Sequence, residues 1–317
     1  MQKSFEHLIE YIKNNTSPDF DELLEKAKNE RKKLNKVFFC FAIIIDIAIF
    51  YIFSHLLDMY SFQILSVIFP IIIVDLLLYI ILSLFFTKNK KAYIASFKEN
   101  VIQKLLNNFY KNVDYMPKKE MSRDLYDLAK YNEHYNRYYS DDYMEASIDN
   151  KCPIRMAEVH TVYEETHTDS DGHTTTTRTT KFHGLFAQIK MNKSINSELL
   201  IRRNHSVSKK TRLNMDSQEF EKIFDVSATN QIIGMQLLTH DIMELLVNFK
   251  NSTGINYDIS IYDNIMYLRF HTGAMFEFKS FQKGAFDEKM LKQYYAVLDF
   301  TYTLSNMMID LIEKTEI

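Results

Sequence analysis

Two aspartates stand where ionisable residues are rarely tolerated. Asp46 sits in the run VFFCFAIIIDIAIFYIFSHLL (37–57) and Asp75 in ILSVIFPIIIVDLLLYIILSLFF (64–86). Each run is long enough to span a bilayer, and neither has enough polar residues to supply the water-facing stripe of a soluble core helix. A carboxylate at the centre of a bilayer costs at least ~2.5–3.5 kcal/mol. An antiparallel hairpin would put both aspartates at similar depth. Two chemistries follow: the pair shares one proton and serves an ion or proton path, or both are neutral and hydrogen-bond the hairpin or a homo-oligomer together. The second is the preferred expectation, because two spans make no pore alone and no third ionisable group continues a relay. Ala42 and Ser54 lie on the helical rows of Asp46, and Tyr79 and Ser83 on those of Asp75.

A second set of reactive side chains lies in HTVYEETHTDSDGHTTTTRTTKFH (160–183). Asp171-Gly172 is a strong two-residue turn between β-branched runs. That turn fixes a register in which Glu165 faces Arg178, Tyr163 faces Thr180 and His160 faces His183. The Thr-rich tip lacks apolar alternation, so a solvated ribbon is expected to project from the domain. Of the four histidines only His160 and His183 fall on one level, and two ligands do not make a metal site. No metal or other cofactor is expected. The acidic group Asp141, Asp142 and Glu145 reads as a solvated turn.

The remaining motifs exclude more than they include. The six glycines are too far apart for a dinucleotide fingerprint or a P-loop, and no H-E-x-x-H, G-x-S-x-G or C-x-x-C occurs. Cys40 and Cys152 cannot build a disulfide framework or a thiolate zinc site. No dense basic patch marks a nucleic-acid binder. No catalytic residue is assigned, and an enzyme is the less favoured class.

The elements that would position these residues follow from charge and periodicity. The 317 residues carry 38 Lys plus Arg and 41 Asp plus Glu, for a formal charge of −3. The stretch 37–87 contains no Lys or Arg, where roughly six would be expected. Its three acidic residues, Asp46, Asp58 and Asp75, match the whole −3. Arg31, Lys32, Lys33 and Lys36 precede the first run, and Lys88, Lys90 and Lys91 follow the second. The positive-inside rule then places both termini in the cytoplasm.

The resulting fold class is α+β. Amphipathic helices occupy 1–36, a transmembrane hairpin 37–87, a membrane-proximal helix 88–114, and a cytoplasmic α+β domain 115–317 with the projecting hairpin 160–183. Within that domain the tyrosines from Tyr126 to Tyr143 crowd a helix-to-strand transition and are expected to keep their hydroxyls at the surface. Strands are predicted over 184–190, 198–202, 256–261 and 265–269, and helices over 217–224, 230–238, 239–249 and 287–313.

YSDDYMEASI from Tyr139, MAEVHT from Met156, FHGLF from Phe182, EFEKIFDVSATNQ (219–231) and the following LLTHDIMELL carry a likeness to a known family. In these blocks and the preceding hairpin the chain resembles the bacterial family catalogued as domain of unknown function 3137. Asn230 departs from the Asp expected there, and the Thr/His ribbon is longer than in related sequences. The resemblance implies a bacterial membrane protein of uncharacterised activity, supplies no catalytic residues, and implies a LemA-type membrane protein as a partner.

The leading expectation is a scaffold or interaction module, with the hairpin in the bacterial cell membrane and an α+β domain presented to a protein partner. The lipid bilayer is its second partner, a homo-oligomer an alternative, and nucleic acid is not expected. A proton-coupled or transport component using Asp46 and Asp75 is the second reading, and a hydrolase of unrecognised type the third.

Overall fold

The computed structural model describes residues 3–56, 64–149, 151–169, 171–203, 212–278 and 286–314, with side chains described outside 53–67. The chain forms two compact units. One comprises residues 14–101 with 278–285, and the other residues 1–13, 102–277 and 286–317.

Helix α1 spans Phe5–Asn14 and buries Leu8 and Ile12. Helix α2, Asp19–Leu56, runs without a break from a charged N-terminal half into the first apolar run, and α3 covers Ile64–Phe85. Both are long and apolar enough to cross a membrane. Only 6% and 0% of their apolar windows are buried inside the molecule. Phe38 of α2 and Tyr79 of α3 meet edge to face at 5.3 Å, which ties the two helices together. The membrane-proximal helix expected from residue 88 starts as a separate element and does not continue α3. Helix α3 ends at Phe85, and α4, Lys88–Phe97, starts afresh. Glu30 of α2 accepts the Asn89 N–H of α4 at 3.0 Å, so a carboxylate satisfies an orphan donor at a helix N-terminus.

A π-helical turn, Lys98–Ile102, leads into α5, Gln103–Phe109. The chain then turns extended, and β1, Lys111–Met116, occupies residues expected to be helical to 114. Helix α6, Arg123–Asp127, precedes β2, Arg137–Ile148, β3, Cys152–Thr168, and β4, Thr174–Arg203. There follow β5, Arg212–Leu213, α7, Gln218–Ile223, β6, Phe224–Ala228, α8, Gln231–Leu237, and α9, His240–Thr253. Strand β7, Tyr257–Phe270, and α10, Glu288–Lys314, complete the order. Ser217, Asn230 and Thr239 cap α7, α8 and α9 through their side chains. Asn230, where the resemblance implied Asp, serves as the N-cap of α8.

The fold is α+β, as the sequence implied. All strand pairs are antiparallel, in the order β1-β2-β3-β4-β6-β5 with β7 also on β4. The two short strands expected around Asp263 are one long strand, because Asp263 takes a left-handed φ of 52° and the strand continues past it against β4. One sheet face is covered by the tyrosine-rich segment, with Tyr126, Tyr131, Tyr135, Phe182, Phe186 and Tyr267 in a single buried cluster. Elsewhere β7 residues Tyr257 and Phe270 pack against Phe249 of α9 and Phe300 of α10, whose rings stack at 4.1 Å.

Tyr139 is exposed as expected, but the hydroxyls of Tyr131, Tyr135 and Tyr138 are hydrogen-bonded within the fold. Tyr131 donates to the carbonyl of Tyr267 at 3.2 Å, Tyr138 to that of Met121 at 3.0 Å, and Tyr135 to the Asp127 carboxylate at 2.5 Å. Acceptors come from β7 as well as from within and beside the segment, so these rings can be buried without leaving a hydroxyl orphaned.

Candidate functional site

The aspartates of the apolar helices each keep one buried oxygen, Oδ1, without a hydrogen-bond partner among the described residues. Asp75 is near enough to act electrostatically on Asp46. Ala42, one turn before Asp46, is buried. Ser83 donates to the carbonyl of Ile80 at 2.7 Å and so is satisfied locally. Ser54 lies outside the described side chains.

The ribbon forms as an extension of β3 and β4, with a different register at its tip. His160 faces His183 as expected, and Thr161 faces Phe182, but Val162 then faces Thr180 and Glu164 faces Arg178. A bulge at Lys181 absorbs one residue. At the tip Thr168 faces Thr174, and Asp169 Oδ1 accepts the N–H groups of Asp171 and His173. That Asx-type capping is what overrides the two-residue Asp-Gly turn. The ion pair expected at Glu165 is consequently made by Glu164, which meets Arg178 at 2.6 Å and Arg137 at 2.7 Å. Glu165 instead approaches His167 at 3.3 Å. At the ribbon's root Asn136 pairs with the Glu164 backbone through both side-chain atoms and ends the β2 edge there.

Where the ribbon meets the sheet, the His160 and His183 rings stack at 4.4 Å. They line a cleft of ≈ 270 Å³ with Tyr139, Asp141, Glu158 and Glu277. Burial, followed by the neighbouring His183, lowers the His160 pKa. Gly184 makes this geometry accessible. A Cβ there would lie 1.8 Å from the Phe270 carbonyl oxygen, so only glycine lets β7 approach and carry residues 271–277 over His183. The Gly273 N–H then donates to the His183 carbonyl at 3.1 Å.

Asp142 was expected in a solvated turn with Asp141 and Glu145, yet it is fully buried in β2 at a bulge with φ 51°. It accepts a short hydrogen bond from the Tyr115 hydroxyl. Glu158 is also buried and accepts the N–H groups of Met275, at 2.6 Å, and Phe276. Carboxylate oxygens of Asp141, Asp142 and Glu158 lie within 4.8 Å of one another. Burial and the Asp142 charge push the Glu158 carboxyl up to about 8, against the pull of the Phe276 N–H. At neutral pH it is therefore largely protonated, a proton donor beside other carboxylates. Sequence reading missed this cluster because a D-D pair resembles a turn, and the bulge that internalises Asp142 has no local signature.

A second buried charge cluster lies under the tyrosines. Arg269, 1% exposed, meets Asp258 at 2.5 Å and Glu133 at 2.7 Å, with its guanidinium 4.0 Å from the Tyr131 ring centroid. Burial alone would raise the Asp258 carboxyl, but the hydrogen bond to His271 and the charges of Arg269 and Arg202 hold it at about 2.

Residues 180–309 match the family described as a protein of unknown function (DUF3137), so the resemblance drawn from EFEKIF and its neighbours holds over that span. No curated protein matches the chain. Among solved structures, the crystal structure of the mycobacterial trehalose monomycolate transport factor A aligns at 9% identity, covering 59% of this chain and 88% of that one. Its TM-score of 0.28 is too low to carry an argument.

Proposed function

We propose that this chain, with its domain of unknown function, is a membrane-anchored interaction module. In this reading α2 and α3 cross the bacterial cell membrane as a hairpin, both termini are cytoplasmic, and the α+β domain is held at the inner face for a protein partner. The observation that supports it is the exposure of two long apolar helices, 6% and 0% buried in their apolar windows. So much contiguous apolar surface is untenable in water and natural in lipid. The lysines flanking the outer ends, and only there, support the orientation. The ribbon carrying Glu164, Glu165 and Arg178 is the surface offered to the partner, for which a LemA-type membrane protein is the first test case. Photo-crosslinking in native membranes from a residue introduced at Thr175 should capture one defined protein. Recovery of the chain in the alkaline-soluble fraction would sink the anchoring.

The unpartnered oxygens of Asp46 and Asp75 support a second reading, a proton-coupled component or homo-oligomer built on that pair. Proton leakage through vesicles carrying the purified chain, abolished by Asp75→Asn, would favour it over the anchoring role alone.

A further inference from the structure

The bottom of α1, the α5 face and the start of β1 enclose a polar cleft of ≈ 320 Å³ that neither the ribbon nor the acidic cluster uses. Lys3, Lys104 and Lys111 line it, with one acidic residue, Asp149. Lys104, Asn107 and Asn108 fall at i, i+3 and i+4 on α5, and Lys111 opens β1 just beyond the helix end. Lys3 is held at the cleft by its backbone. Asn108 accepts the Lys3 N–H at 2.9 Å and donates to its carbonyl at 3.3 Å, and the Tyr295 hydroxyl donates to the same carbonyl at 3.1 Å. The Lys3 ammonium rests 3.1 Å from the Tyr11 ring centroid. Asp149 accepts a hydrogen bond from the Tyr302 hydroxyl at 2.7 Å, which disperses part of its charge. Asn107 accepts from Gln103 at 3.5 Å, which leaves its NH₂ oriented as a donor.

We propose that this cleft is a binding site for a phosphate-bearing anion, held by Lys3, Lys104 and Lys111. Its volume lies at the lower end of the ~300–1,000 Å³ of small-ligand sites. Three lysines against one aspartate in the lining suit the ~−1.5 to −2 charge of a phosphomonoester at pH 7. Compact, rotatable ammonium donors suit a phosphate's point-like charge better than a planar carboxylate's. The Tyr11, Phe109 and Tyr302 side chains give the cleft an aromatic wall for whatever carries the phosphate.

The ligand's source is either a soluble phosphate compound or a lipid headgroup, and one titration separates them. The full chain in neutral detergent is titrated calorimetrically with inorganic pyrophosphate and with a short-chain phosphatidic acid. Saturable binding of at least one probe is expected, weakened by about 0.5 M salt. Binding of pyrophosphate assigns the soluble source, and binding of the lipid alone assigns the headgroup. The Lys104→Gln/Lys111→Gln double variant should bind at least about tenfold more weakly, while Lys104→Arg/Lys111→Arg stays within about threefold of the natural chain. Because Arg keeps the charge, that variant carries the test if the Gln variant fails to fold. Binding of neither probe, unchanged binding by the Gln variant, or loss of binding in a folded Arg variant would overturn the proposal.

Discussion

In α2 and α3 each aspartate keeps one buried oxygen without a partner among the described residues, whereas under the tyrosine segment Arg269 meets two carboxylates and the face of Tyr131. If α2 and α3 cross a membrane as proposed, both regions exclude water from ionisable groups, and they meet the cost differently. In the sheet domain tertiary structure brings an opposite charge from a distant part of the chain: Glu133 and Arg269 are far apart in sequence and 2.7 Å apart in space. A two-helix hairpin has only its own two apolar faces to offer. Its unmatched oxygens call for a proton, a second copy of the chain or a partner's donor. The paired cluster is a structural device, and the unpaired one is where an assembly or proton-transfer role would be expressed.

Breaking the paired cluster has the largest expected effect. Arg269→Met removes the shared cation of Asp258 and Glu133, leaving Asp258 only His271 and the more distant Arg202, and should cost about 3–5 kcal/mol. Urea unfolding of the full chain in detergent, followed by far-UV circular dichroism, measures it. A loss below about 1 kcal/mol would remove the contrast between the regions.

Glu158 sharpens the comparison, since it is a buried carboxyl that keeps its proton instead of finding a cation. Its folded pKa of about 8 lies above the unfolded glutamate value of ~4.3. The unfolded chain therefore releases this proton first. The associated stability is fully present below about pH 4.3 and is lost as pH rises through about 8. Unfolding midpoints should fall by an amount worth a few kcal/mol over that window. Glu158→Gln should flatten the dependence, and an equal slope in both proteins would refute the assignment.

Substitution in the hairpin should do less. Asp46→Asn and Asp75→Asn replace a carboxyl by an amide that can also bond between helices, and hairpin association should change by no more than about 1 kcal/mol. Energy transfer between labels on the two helices in nanodiscs checks this. The smallest effect belongs to the ribbon, where Arg178→Ala should leave the global melting midpoint unchanged and accelerate amide exchange only around Glu164.

Features governed by local spacing were legible in the sequence. The apolar runs, the α7 to α10 helices and the His160–His183 pairing all follow from composition and periodicity. What escaped depends on single backbone deviations. A bulge at Lys181 moved the ion pair from Glu165 to Glu164, and a bulge at Asp142 turned an apparent surface acid into a buried one. Asp263 likewise joined two predicted strands into one. A one-residue insertion exchanges the faces of a strand and leaves no periodic trace, so the acidic cleft was the least legible part of the candidate site. Arg269 was missed for another reason: its partners lie on separate elements, and an arginine in a strand gives no sign of which face is covered.

The anchoring and orientation of the α+β domain are tested most directly by labelling Thr175→Cys on the exposed ribbon tip with a membrane-impermeant maleimide. Cys40 is replaced by Ser for this purpose, and Cys152 is buried. The account predicts labelling in inverted membrane vesicles and none in intact cells until they are permeabilised. Labelling of intact cells, or recovery of the chain free of membranes, would contradict it.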